Sequence, residues 1–166
     1  MNDLRYAVRS LARSPVSTFA ALRAARGNDF KVIYRHYPLV QIHPLAFEAA
    51  VAADCASKQG RFEAYHDVLF AKQDSIGAIS WGQFAHRAGV PDQHEFERCM
   101  ESPSSASKVR EDIEAGDQLQ VRGTPTVVIE GIRFPGTPPL RTLDSLLNVM
   151  LRRGSSKGQL LSSFPQ

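Results

Sequence analysis

Two cysteines, five histidines, a Ser-Pro-Val-Ser tetrapeptide and a Gly-Thr-Pro-Thr run are the places where this 166-residue chain could do chemistry. Cys55 and Cys99 lie too far apart for a Cys-x-x-Cys or a metal-ligand pair, so neither a zinc site nor a disulfide framework is indicated. The default for both is a buried, inert thiol, with a single structural bridge left open. His36, His43, His66, His86 and His94 show no His-x-x-x-His pair or carboxylate alignment and read as surface or capping residues. Asp67 beside His66 would need a nucleophile nearby, and the sequence signals none. With no phosphate-binding glycine loop either, no metal or cofactor is expected.

The most informative run is Val121 to Ile129, where Gly123, Thr124 and Pro125 lead into a β-branched stretch. Pro125 has no amide donor, so it belongs at the first residue of a strand or on an edge. Its peptide bond is either trans, the commoner case, or cis, which only X-Pro bonds adopt at modest cost. Ser14-Pro15-Val16-Ser17 reads first as a helix start, with serine as cap and proline in the first turn.

The elements that position these residues follow from periodicity. A 43% hydrophobic share over this length supports one compact domain, and a net charge of +3 with both signs mixed gives no nucleic-acid footprint. No apolar run reaches the ~20 residues of a membrane helix and no secretory h-region is present, so a cytoplasmic chain is expected. Leu4, Val8 and Leu11 share one helical face beside Arg5, Arg9 and Arg13. That basic segment, residues 1–13, packs on its own domain or rests on an anionic membrane, and a strand over 4–8 competes with the helix.

A helix through Phe19 and Leu22 stops at Gly27, and residues 30–34 read as a strand. Helix resumes with Pro44 at its first position, through an alanine-rich stretch whose small residues on many faces imply tight burial. Further helices carry Phe62 to Phe70, start at Ser80 with Gln83, start at Asp92 with Glu95, and open at Ser102-Pro103. Residues 126–130 and 132–134 form a hairpin around Gly131, with Glu130 awkward if its φ must be positive. A last helix follows Pro138-Pro139 and ends near Gly154, leaving 155–166 as a flexible tail. The order is α/β with a helical insertion.

Several runs together resemble the DsbA-like thioredoxin-fold family: Val32 to Leu39, His43-Pro44-Leu45-Ala46, Ala53 to Ala56, Gln59 to Phe62, Tyr65-His66-Asp67, Leu69-Phe70-Ala71 and Val121 to Thr126. The resemblance implies a thioredoxin-like fold over residues 30–154 with a helical subdomain inserted at about 43–119, after an atypical segment 1–29. It also implies that Pro125 is a cis-proline and that Gly123, Thr124 and Pro125 face an extended peptide or protein substrate. The family's thiol–disulfide oxidoreduction needs Cys-x-x-Cys at a helix N-terminus, where the dipole favours thiolate. This sequence has none. Ser14 and Ser17 stand where such a pair would fall, and hydroxyls cannot exchange disulfides.

Residues 1–15 resemble the cytoplasmic N-terminus of MacB-type ABC transporter permeases, which points to an unrelated leader joined to a domain without its first strand. That strand would lie centrally in the sheet. Each backbone group left buried without it would cost about 1–3 kcal/mol, so residues 4–11 are expected to replace it, with a second copy or poor folding as the alternatives. The expected function is a DsbA-like protein inactive in dithiol exchange that retains peptide binding beside Pro125. A non-catalytic interaction or chaperone-like module, or a truncated gene product, is the alternative. Relatives act outside the cytoplasm.

Overall fold

The computed structural model describes residues 22, 24, 26, 27 and 30–161, with side chains described to residue 152. Ser14, Ser17 and the helix or strand expected within residues 1–13 lie outside the described residues, as do the permease-like leader and the strand replacement at 4–11. The chain divides into two compact units, Tyr34–Thr124 and the combination of Met1–Ile33 with Pro125–Gln166.

The first unit is helical: α1 (Ala46–Ser57), α2 (Phe62–Ala71), α3 (Trp81–Arg87), α4 (Gln93–Glu101) and α5 (Pro103–Gln118), with a 3-10 turn at Gln73–Ser75. Local chemistry sets most of these starts. Ser80 and Gln83 form a reciprocal capping box on α3, Asp92 accepts the Glu95 amide on α4, and Pro103 occupies the first turn of α5. Helix α1 instead begins at Ala46 with Leu45 as cap, so Pro44 stands ahead of the helix and not at its first position. Every residue from Ala50 to Ala56 is buried, because alanines on successive faces let neighbouring helices approach from several sides. Tyr65, Phe84 and Phe96 complete this core at 0% exposure, each worth about 1.5–3 kcal/mol of burial.

The second unit is built on the hairpin β1 (Thr126–Ile129) and β2 (Ile132–Pro135) and on α6 (Leu140–Leu161). The two strands are antiparallel, with Val127 opposite Phe134 and Ile129 opposite Ile132. The connecting Glu130 and Gly131 both have positive φ, 50° and 80°, as a two-residue hairpin turn of this hand requires. Val127, Leu143, Leu147 and Leu22 form the core, with Phe30, Ile129, Phe134 and Met150 against it. Arg26 fastens the segment before the helical unit to α6 through Asp144, at 2.5 and 2.8 Å, and Asn148 at 2.9 Å.

Two further expectations, the strand at 30–34 and the end of the last helix, are corrected. Residues 31–39 carry no regular structure, and among the described residues the sheet has only β1 and β2. The β-branched run Val32-Ile33 finds no neighbouring strand there, and propensity without a ladder partner does not make a strand; Ile33 stays 63% exposed. The last helix does not end near Gly154 but continues to Leu161. Glycine costs a helix about 1 kcal/mol but does not break it as proline does.

Candidate functional site

Gly123 and Thr124 close the helical unit and Pro125 opens the hairpin unit. Thr124 and Pro125 are exposed and Gly123 is half-buried. The Pro125 carbonyl accepts the Gly136 amide at 2.8 Å, extending the β1–β2 ladder by one pair. In this register Val127 and Ile129 bond toward β2, so the N–H and C=O of Val128 project from the opposite edge. Among the described residues no third strand pairs with that edge. Ahead of it, the Tyr37 hydroxyl donates to Asp117 Oδ1 at 2.7 Å and lies 3.2 Å from the Val121 carbonyl, tying the approach to Gly123 onto the end of α5. The Asp117 hydrogen bond holds the Tyr37 hydroxyl above its ordinary pKa.

The cysteines are not two inert thiols. Cys55 on α1 and Cys99 on α4 form a disulfide, their Cα atoms 5.7 Å apart across a sequence separation of 44. Pairing depends on how α1 and α4 pack, which spacing along the chain does not encode. A loop of that length removes about 4 kcal/mol of unfolded-chain entropy in the loop-closure account. The bridge is asymmetric in its surroundings: Ser105 Oγ stands 3.1 Å from Cys99 Sγ and 3.7 Å from Cys55 Sγ, and Lys58 Nζ is 3.3 Å from Cys99 Sγ. Lys58 also donates to Ser105 Oγ at 2.9 Å and lies 3.7 Å from Asp54 Oδ2, a buried atom with no hydrogen-bond partner. Little in the sequence marks Lys58 and Ser105; the only signal is Lys58 three residues after Cys55, on the same helical face.

Nor are all the histidines surface residues. His36 and His66 are buried at 8% and 3% exposure, packed with Tyr34, Phe62 and Phe70. Burial pushes both imidazoles below their ordinary pKa, against the pull of Asp112 and Asp54 on His36 and of Asp67 on His66. His66 Nδ1 lies 3.8 Å from Asp67 Oδ1, too far for a hydrogen bond. Burial likewise raises the Tyr34 phenol, with Asp112 adding to it. Among the described residues no group of three or more His, Cys, Asp or Glu is placed to hold a metal, and no helix is long and apolar enough to cross a membrane.

Residues 41–148, most of the chain, match the family described as the DSBA-like thioredoxin domain. The chain belongs to that family. The fold of this DsbA-like domain is similar to the crystal structure of a thioredoxin-like oxidoreductase from Silicibacter pomeroyi DSS-3, with a TM-score of 0.67 over 85% of this chain and 79% of that one, at 24% identity. In sequence it is 33% identical over 115 residues to Na(+)/H(+) antiporter NhaA 3 of Salinispora tropica, covering 69% of this chain and 18% of the antiporter. It is 35% identical over 117 residues to NhaA 1 of Mycolicibacterium gilvum, covering 69% and 19%. The DsbA-like chain thus spans about a fifth of the length of these curated relatives.

Proposed function

We propose that this DsbA-like domain binds an extended peptide along the outer edge of β1, beside Gly123, Thr124 and Pro125, and carries out no Cys-x-x-Cys exchange on it. The outer edge of β1, which no strand among the described residues covers, carries the reading: Val128 offers a backbone donor and acceptor outward, and a strand added there gains main-chain hydrogen bonds largely independent of sequence. Thr124 and Pro125, directly ahead of β1 in the sequence, are exposed, which supports it. A cis Thr124–Pro125 bond, implied by the family likeness, belongs to this reading.

Fluorescence anisotropy with labelled extended peptides, together with hydrogen exchange, tests it. Bound peptide should protect the Val128 amide. Val128→Pro removes that outward donor without touching the β1–β2 ladder, and should weaken binding about five- to tenfold, one hydrogen bond's worth. Binding unchanged by the substitution would sink the reading.

The antiporter relatives favour a second reading, a non-catalytic interaction module that works with a membrane transport protein. Co-expression with the Salinispora antiporter shortened by its matched segment would decide: unaltered sodium-dependent proton transport rejects it. In either reading the Cys55–Cys99 bridge favours an oxidising compartment over the cytoplasm.

A further inference from the structure

We infer that Cys55–Cys99 is a thiol–disulfide exchange centre for low-molecular-weight thiols, in which Lys58 and Ser105 hold Cys99 as thiolate once the bond opens. A bridge that served only to brace a core would need no cation. Here the Lys58 ammonium lies 3.3 Å from Cys99 Sγ and the Ser105 hydroxyl 3.1 Å from it, whereas Cys55 is set among Ala52, Ala56 and other buried apolar groups of α1. A nearby cation and a hydroxyl donor both favour the charged form of a thiol. Asp54 opposes this, but Lys58 stands between the two as its partner, 3.7 Å from the carboxylate. Helix α5 contributes the uncharged Ser105, itself 0% exposed. Cys55 and Cys99 are 1% and 7% exposed, which excludes a folded protein's cysteine as reactant, while Lys58, with 48% of its side chain exposed, marks the side from which a small thiol would enter.

The reductant is a small dithiol. One of its thiolates attacks a sulfur of the bridge; the protein S–S bond breaks, a mixed disulfide forms, and the other protein sulfur leaves as thiolate with the bonding pair. The reductant's second thiolate then attacks its own sulfur in the mixed disulfide, closing the reductant's disulfide and releasing the second protein thiolate. Two electrons pass to the bridge. Of the two protons that the dithiol gives up, Cys55 takes one and solvent keeps the other, because Cys99 remains ionised beside Lys58. The inference is independent of peptide binding at β1.

The test is native-state treatment of the full chain with dithiothreitol, then timed iodoacetamide labelling from pH 6 to 9, read by peptide mass spectrometry. Cys99 should label before Cys55, at a pH midpoint below that of a free cysteine. Lys58→Met should slow Cys99 labelling at pH 7 about tenfold, the consequence of moving the midpoint up by about one unit, and Lys58→Arg should restore it. Thermal melts of the oxidised variants confirm that they fold. The inference is overturned if the bridge opens only in denaturant, if Cys55 labels first, or if Lys58→Met leaves the Cys99 pH profile unchanged.

Discussion

The carboxylate of Asp112, in the middle of α5, accepts the backbone N–H of His36 at 3.1 Å, pinning an extended segment with no regular structure of its own onto the helical core. Arg35, at 2.7 Å, and Lys108 bond the other oxygen. Burial alone would raise this carboxyl, but the Lys108, Arg35 and His36 hydrogen bonds together hold it below the usual carboxylate range. Asp112→Ala leaves the buried His36 amide unpaired and should cost about 2–4 kcal/mol, with Asp112→Asn costing less. Urea unfolding of both variants measures this. The Asp112 contribution is present above its unfolded pKa near 4 and is lost as pH falls through the lower folded value.

The buried histidines act at milder acidity. His36 and His66 have folded pKa values pushed below the unfolded value, so the native state favours their neutral forms. Their contribution is full above about pH 6.5 and is lost as pH falls from there through the folded values. Melting temperature should therefore decline on acidification from pH 7 to 5. His66→Phe, which keeps a ring against Phe70 and Tyr34, should flatten that decline by at most about 1.4 kcal/mol per pH unit.

Gly116 faces the Tyr37 ring: a Cβ there would sit 2.5 Å from Tyr37 Cδ2. In an open helix Gly→Ala stabilises by about 1 kcal/mol. Here Gly116→Ala should destabilise instead, because it displaces the ring whose hydroxyl holds Asp117 and the Val121 carbonyl. A denaturant double-mutant cycle with Tyr37→Ala checks the cause: with the ring gone, the alanine should regain its helix benefit.

Glu130 adopts φ 50° next to Gly131 at 80°. Asparagine tolerates that region better than glutamate does. Glu130→Asn should accordingly raise stability by about 0.5–1 kcal/mol, measured by thermal melt.

What was legible in the sequence was what neighbouring residues decide among themselves. Ser80 with Gln83, Asp92 with Glu95, and Ser102-Pro103 each mark a helix start that needs nothing from elsewhere in the chain, and the Glu130-Gly131 turn is equally local. Residues 30–34 have strand composition, but a strand exists only beside another, and no composition reports whether the neighbour is there. The Cys55–Cys99 bridge depends on the approach of α1 to α4, and the placing of Lys58 and Ser105 around it depends on α5 as well. The burial of His36 and His66 is hidden for the same reason: it is set by rings from Tyr34 and α2, brought together only in the folded unit.

The division of the chain also sets an order in time. Tyr34–Thr124 is one uninterrupted stretch containing both cysteines, Lys58 and Ser105, whereas the hairpin unit draws on residues from both sides of it. Contacts close in sequence form early, and chains emerging from the ribosome fold their earlier units first. The helical unit has both cysteines and the residues around them before β1 has been synthesised, so its crosslink needs nothing from the hairpin unit to close. The segment carrying Leu22 and Arg26 must wait for α6, its partner, to be made at the far end.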